Sequence, residues 1–269
     1  MKPNLTFAAV SLALAAAFTP PVLAAAQPAA AQPSKGDQIL RQMSAKLGGA
    51  QKFSFQAHRE MDAALVPGGL AAQDARIGVS VQRPNQVAAR SVSEKGARRF
   101  LADGQKLTLT DEKLNVYATV PMRTTIDGLV ERIDARFGFT PPLAEFILSD
   151  PYRLGFRRQA HTVSYGGRTT WWAGFFGPVE CDRLVLTGAE ADAELLVAVS
   201  DGLPRKLTAT FKHLEGKPQL KVEFSKWNLA APVTAADFAF TPPKGAEKIE
   251  IWTKARMQSA NQKAAAKKN

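Results

Sequence analysis

Cys181 is the single thiol of the 269-residue sequence, and it follows TTWWAGFFGPVE, a stretch that places four aromatic side chains within six positions. A cysteine nucleophile needs a thiolate, and a thiolate at neutral pH needs a neighbouring base or cation. The three histidines, His58, His161 and His213, are scattered, so only the fold could bring one to Cys181. A free cysteine in an extended segment reads first as a small buried residue. Glu131 and Asp134 are spaced as a carboxylate pair, but they fall on the outer side of a predicted helix, where a solvated face explains them better than acid–base catalysis. None of the histidines has a Cys, Asp or Glu at a spacing that forms a local metal site. The sequence also lacks a phosphate loop, HExxH, GxSxG, CxxC or dinucleotide fingerprint. The expectation is a protein without catalytic residues, metal or cofactor.

The aromatic stretch therefore needs another explanation. Gly174 and Gly177-Pro178 read as the turn of a hairpin. Trp171 and Trp172 are consecutive, so in an extended chain they point to opposite faces and cannot both enter one core. Leaving large apolar side chains in water forfeits about 1.5 to 3 kcal/mol apiece. Trp171, Trp172, Phe175 and Phe176 are accordingly expected at a rim, covered by a helix, a cargo, a membrane or a partner.

Composition bounds what must position these residues. Hydrophobic residues at 45% and charged residues at 22% are those of a folded protein with a sizeable core. Residues 1–26 stand apart: Lys2 precedes an almost wholly apolar run from Leu5 to Phe18, and small residues around Ala24 offer cleavage sites, the layout of a signal peptide. The apolar run is shorter than the ~20 residues that span a bilayer and is interrupted by Pro20-Pro21. A lipid anchor at the cleavage site would need a cysteine there. The expected product is an exported, soluble protein with residues 27–36 as a disordered linker, a domain over 37–252 and a basic tail over 253–269. One cysteine cannot form an intrachain disulfide, so burial alone must stabilise the fold.

Of the formal net charge of +11, five positive charges lie in the last sixteen residues (Lys254, Arg256, Lys263, Lys267 and Lys268) and one is Lys2. The body is only mildly basic. No basic stripe is interleaved with aromatics, which excludes nucleic acid as a partner. The tail reads as a solvated extension, with attraction to a membrane surface as an alternative.

Two periodicities organise the rest. Ile39, Leu40, Met43 and Leu47 recur at helical spacing and Gly48-Gly49 ends that helix; Ile126, Leu129, Val130 and Ile133 mark a second over Thr124 to Phe137. Pro141-Pro142 is expected to start a third through Leu143, Phe146, Ile147 and Leu148. Elsewhere the period is two: Phe53, Phe55 and Ala57 alternate with polar residues, as do Ile77, Val79 and Val81, and Val87 to Ser93, Arg98 to Ala102, Lys106 to Thr110 and Asn115 to Val120 continue the pattern. Strands resume at Cys181 to Thr187, Leu195 to Ser200, Arg205 to His213 and Leu220 to Trp227. Short, evenly spaced strands argue for an antiparallel meander. About nine strands with one apolar face must curl over the helices to bury it. The predicted fold is mainly β with α: a single curved, unclosed antiparallel sheet with amphipathic helices packed in or over its concave face.

The segments DGLPRKLTATFKHLEGKPQLKVEFSKWNL and ADFAFTPPKGAEKI resemble the C-terminal half of an uncharacterised family of predicted periplasmic proteins, DUF2092. QILRQMSAKLGGAQKFSF, NVYATV and PPLAEFILSDPY resemble its N-terminal half. That family is similar to the LolA and LolB lipoprotein carriers, whose roughly eleven-stranded half-barrel holds acyl chains on a concave apolar face capped by helices. The resemblance implies a periplasmic location and a LolA-like fold. The chain departs from the family at WWAGFF, where a polar hairpin is usual, and at AELLVAV, where a Trp-containing strand is usual.

A non-catalytic binder or carrier of lipid acyl chains or of a lipidated protein follows by fold-level analogy. Phe53, Phe55, Ile77, Val79, Phe211, Val222 and Phe224 are the candidate cavity wall, and Ile126, Leu129, Ile133 and Phe146 the candidate lid; the bland alternative for each is ordinary core. The runner-up is an envelope sensor that uses the same fold to bind a protein partner, with an inner-membrane protein as one such partner. A periplasmic hydrolase comes third, since it would need a polar cluster in the cavity.

Overall fold

A computed structural model describes residues 33–66, 74–141, 143–172, 177–251, 253 and 256. The expected signal peptide, most of the basic tail, and Phe175 and Phe176 lie outside them.

Helix α1, Lys35–Gly49, starts where the Ser34 hydroxyl accepts a hydrogen bond from the Asp37 amide at 3.1 Å. It begins two residues before the expected domain boundary. Asp37 in its first turn and Lys46 in its last oppose the helix dipole favourably. Leu40, Met43 and Leu47 form its buried stripe. Helix α2, Ile126–Phe137, is capped by Thr125 and ends at Gly138, whose φ of 79° is the left-handed conformation that glycine adopts without penalty. Its buried residues Ile126, Leu129, Ile133 and Phe137 share one face.

Among the described residues twelve strands form one mixed, unclosed sheet in the order β12-β6-β5-β4-β3-β2-β1-β11-β10-β9-β8-β7. The first meander is β1 (Lys52–Met61), β2 (Asp74–Gln82), β3 (Gln86–Ser93), β4 (Gly96–Asp103), β5 (Lys106–Asp111) and β6 (Val116–Pro121). The second is β7 (Ala160–Trp172), β8 (Pro178–Gly188), β9 (Ala191–Ala198), β10 (Pro204–Phe211) and β11 (Gln219–Asn228). Antiparallel pairing of β1 with β11 joins them, and β12 (Glu247–Lys248) adds a short parallel edge beside β6. The protein is thus mainly β with a single unclosed sheet, as the alternation predicts, but the sheet is larger than the nine expected strands and not purely antiparallel.

Two elements differ from expectation. The third helix is a single 3₁₀ turn, Ala144–Phe146, because Leu143 takes a φ of 66°, outside helical space, and breaks the run. Strand β7 was not legible: Gly166-Gly167 interrupts its alternation, and the β7–β8 register shifts between Tyr165 and Arg168. After Asp150 the chain makes a π-helical turn, Pro151–Phe156, that runs into Arg157–Gln159.

One inner face of the sheet packs on α1, α2 and the 143–156 segment to make the main core. On the outer face, Ala231, Val233 and Phe238 from the C-terminal segment cover Ala88. Among the described residues no helix is long and apolar enough to cross a membrane.

Candidate functional site

Strand register arranges the inner face in rows that run across the first five strands. Phe53, Val81, Val87, Ala102 and Leu107 form one row, and Phe55, Val79, Ala89, Phe100 and Leu109 form the next. Both are wholly apolar. The third row is Ala57, Ile77, Ser91, Arg98 and Asp111, so polarity enters at one end. Arg59, next on the inner face of β1 after Ala57, extends that polar end.

Above these rows a cavity of about 220 Å³ remains unfilled. Phe55, Ile77, Val79, Val87, Ala89, Phe100 and Leu109 supply its floor and walls; Pro141, Leu143 and Ile147 cover it; Arg59, Ser91, Arg98, Arg99 and Thr110 are its polar lining. Arg98, whose side chain is 50% exposed, marks where it reaches solvent, and its Nε donates to Asp111 Oδ2 at 2.9 Å. Burial pushes the Asp111 carboxyl up, but hydrogen bonds from Leu114 and Arg98 outweigh it and hold the group below the usual range. Arg59 is only 8% exposed, and burial lowers its pKa from that of a free guanidinium.

The cover is anchored at its exit. Arg83 donates from Nη1 to the Ile147 carbonyl at 3.0 Å and from Nη2 to that of Leu148 at 2.8 Å. The same guanidinium bonds the Ala50 and Leu47 carbonyls at the end of α1, at 3.1 and 3.3 Å. It thereby adds a donor at the C-terminal end of α1, where the Leu47 carbonyl also accepts from the Ala50 amide at 3.3 Å. Asp127, in the first turn of α2, accepts from the Ser149 amide at 2.8 Å and from its hydroxyl. Leu143 covers the cavity from a backbone conformation that disfavours any side chain with a Cβ.

Of the candidate wall residues, Phe55, Ile77 and Val79 line this cavity. Phe53, Val222 and Phe224 lie in the adjoining core, Phe224 with its ring 4.6 Å from Phe146 and 6.0 Å from Phe55. Phe211 is half-buried near the end of β10 and outside the main core cluster. The candidate lid residues Ile126, Leu129, Ile133 and Phe146 are all core residues, while Pro141, Leu143 and Ile147 do the covering. Trp171 is half-buried on the outer face against Cys181, Leu196, Ala198 and Val179; Trp172 points the other way and is 68% exposed. The two indoles therefore take opposite faces, as consecutive strand residues must.

Sequence reasoning missed Arg59, although the signal was present: the inward phase Phe53, Phe55, Ala57 assigns position 59 to the interior. It missed Val87, Ala89, Phe100 and Leu109 as lining because which part of an apolar face stays unfilled depends on the volumes packed above it. Cys181 is fully buried, its thiol donates to the Val179 carbonyl at 3.6 Å, and burial raises its pKa. Glu131 and Asp134 are exposed on α2. A cluster invisible in the sequence does form: His58 Nε2 is 2.8 Å from Asp74 Oδ2, with Glu60 beside them. Arg76 opposite His58 and Lys221 opposite Glu60 supply cations across the strands, and the carboxylates are exposed.

Residues 36–252 match the family described as predicted periplasmic protein (DUF2092). The chain belongs to that family. DUF2092 membership agrees with the periplasmic location expected from the sequence. Among solved structures, this DUF2092 chain is similar to the MucA/MucB complex of Pseudomonas aeruginosa, at 13% identity and a TM-score of 0.42, over 77% of this chain and 62% of that one. A LolA superfamily protein of Nitrosomonas europaea is similar at 12% identity and a TM-score of 0.33, over 76% and 97% of the two chains. A DUF1329 family protein of Desulfovibrio piger is similar at 9% identity and a TM-score of 0.36, over 76% and 95%. The chain thus spans about 62% of the length of the chain it matches in that complex. A comparison with curated proteins gave no match.

Proposed function

We propose that this DUF2092 chain is a non-catalytic binding protein that holds an acyl chain, of a lipid or of a lipidated protein, between the inner face of its sheet and the covering residues Pro141, Leu143 and Ile147. The observation that carries the reading is the apolar cavity of about 220 Å³ floored by Phe55, Val79, Ala89, Phe100 and Leu109. Each methylene moved from water into such a space contributes about 0.8 kcal/mol, so a chain of several carbons supplies useful affinity without a polar contact. The volume is below the ~300 to 1,000 Å³ of ordinary ligand pockets, which suits a single chain rather than a branched or cyclic ligand. Among the described residues its lining contains no histidine, cysteine or carboxylate, which disfavours a hydrolase.

In this reading residues 1–26 are a cleaved signal peptide, 27–36 a linker, 37–252 the binding domain and 253–269 a basic tail. A second use of the same fold, docking on a membrane or a protein partner, is favoured by one feature: the 68% exposed Trp172 at the end of β7.

Native mass spectrometry of the exported protein, purified without detergent, tests the binding reading. A co-purifying mass that matches an acylated molecule is the expected result. No such mass, together with an unchanged melting temperature across a panel of lipids and lipopeptides, rejects it.

A further inference from the structure

Across the first five strands the inner face grades from two apolar rows to a row ending in Ser91, Arg98 and Asp111, with Arg59 beyond it. An apolar cavity for a purely aliphatic ligand would not need that gradient. Position 59 follows three apolar residues in the same inward phase, so strand alternation by itself would put another apolar side chain there. Arg59 is nevertheless more than nine-tenths buried and borders the same space as Phe55, Ile77 and Val79. Arg98 borders it too, ion-paired to Asp111. Among the described residues three guanidinium groups, those of Arg59, Arg98 and Arg99, line the cavity and no carboxylate does; Asp111 pairs with Arg98 beside it, and Asp74 and Glu94 act on Arg59 through space.

We infer that the cavity is built for a single-chain anionic amphiphile, whose carboxylate or phosphate head lies at Arg59 and Arg98 and whose chain runs over the Phe55–Leu109 row. The inference rests on the acyl-binding reading above and adds the charge of the head group. Arginine suits this task because its planar fork pairs with two oxygens of a carboxylate or phosphate, and its stem can lie along apolar neighbours. The head group remains next to the solvent-reaching Arg98, so a chain attached to a larger body can enter tail first.

Four probes of equal chain length, used below their micelle concentrations on the full exported chain, separate the possibilities: dodecanoate, dodecyl phosphate, dodecanol and dodecyltrimethylammonium. Calorimetry is expected to show the two anions binding about tenfold or more tighter than dodecanol, and the cation weakest. The ratio of dodecanoate to dodecyl phosphate tells a fatty-acid head from a phosphate head. Arg59→Met keeps the stem volume and is expected to reduce the anion advantage to about threefold or less while dodecanol affinity is retained; Arg59→Lys restores part of it. Arg98→Gln, on a half-exposed side chain, gives a second test if Arg59→Met does not fold. Equal binding of dodecanoate and dodecanol by the wild-type chain overturns the head-group inference and leaves the acyl-binding reading standing. An anion advantage that survives both Arg59→Met and Arg98→Gln also overturns it. Binding of none of the four probes overturns both.

Discussion

The Arg83 guanidinium donates to the Leu148 carbonyl at 2.8 Å while its other bonds hold the carbonyls of Leu47, Ala50 and Ile147. One side chain from the end of the β2 hairpin thus ties the C-terminus of α1 to the segment that covers the cavity. Its ring-facing side lies 5.5 Å from the Phe53 centroid, so the contact is both polar and packed.

Removing that tie leaves several carbonyls short of a donor, each at a cost of about 1 to 3 kcal/mol if water cannot reach it. Arg83→Met is therefore expected to lower stability by about 2 to 4 kcal/mol in urea unfolding. Hydrogen exchange should rise first in residues 143–149, ahead of the strands. Uniform loss of protection over the whole chain would contradict a local anchoring role.

Leu143 offers a test with an unusual sign. Alanine normally outperforms glycine, but at a φ of 66° the Cβ itself costs about 1 to 2 kcal/mol. Leu143→Gly is expected to be more stable than Leu143→Ala by about 1 kcal/mol, although both uncover the cavity. Chemical denaturation of the two variants side by side reads the difference, and a more stable alanine variant would show that the backbone relaxes.

Asp37 makes stability depend on acid. Burial pushes its carboxyl up, but hydrogen bonds from Arg41 and from the Tyr152 hydroxyl outweigh this and hold it below the usual carboxylate range. A depressed carboxyl contributes stability that is present above its unfolded pKa of about 3.9 and is lost as pH falls through the lower folded value. Between pH 5 and 2 the wild-type chain should lose stability more steeply than Asp37→Asn, as followed by circular dichroism; equal slopes would assign the acid sensitivity to the other depressed carboxyls, Asp111, Glu112 beside Arg90 and Asp237 beside Thr234.

Trp171 and Trp172 should separate cleanly. Trp171→Ser removes a half-buried indole from the Cys181, Leu196 and Ala198 cluster and is expected to lose about 1 to 3 kcal/mol. Trp172→Ser, at a 68% exposed position, should change stability by less than about 0.5 kcal/mol. Thermal melts measure both, and sedimentation with anionic vesicles reports whether Trp172 also contributes to membrane docking.

Cys181 should behave as core. Burial raises its thiol pKa, which leaves little thiolate to react. Maleimide labelling of the native chain is expected to proceed no faster than unfolding and to become rapid in urea. Fast labelling without denaturant would place the thiol in an open site.

How much of this was legible follows from what each signal depends on. Strand alternation fixes the inward phase locally, so Phe53, Phe55, Ile77, Val79, Val222 and Phe224 could be assigned to the interior without knowing their neighbours. Helical spacing did the same for Leu40, Met43 and Leu47 and for Ile126, Leu129 and Ile133. β7 was lost because Gly166-Gly167 and the adjacent bulge break a period that is a property of regular pleating. The third helix failed at Leu143, where tertiary contact holds a left-handed residue that propensity would never choose. His58 acquired Asp74 as a partner only through the β1–β2 register, sixteen positions away in sequence.

By itself, the sequence determined that this is a mainly β protein with one apolar sheet face, amphipathic helices to cover it, no recognisable catalytic motif, and two tryptophans obliged to part. Tertiary structure alone decided that Trp171 turns to the outer face, that Pro141, Leu143 and Ile147 rather than α2 cover the cavity, and that Arg59, Ser91, Arg98 and Arg99 border it. Periodicity is a nearest-neighbour property written along the chain, whereas an unfilled volume and the charge beside it depend on strand register and on every side chain packed above them.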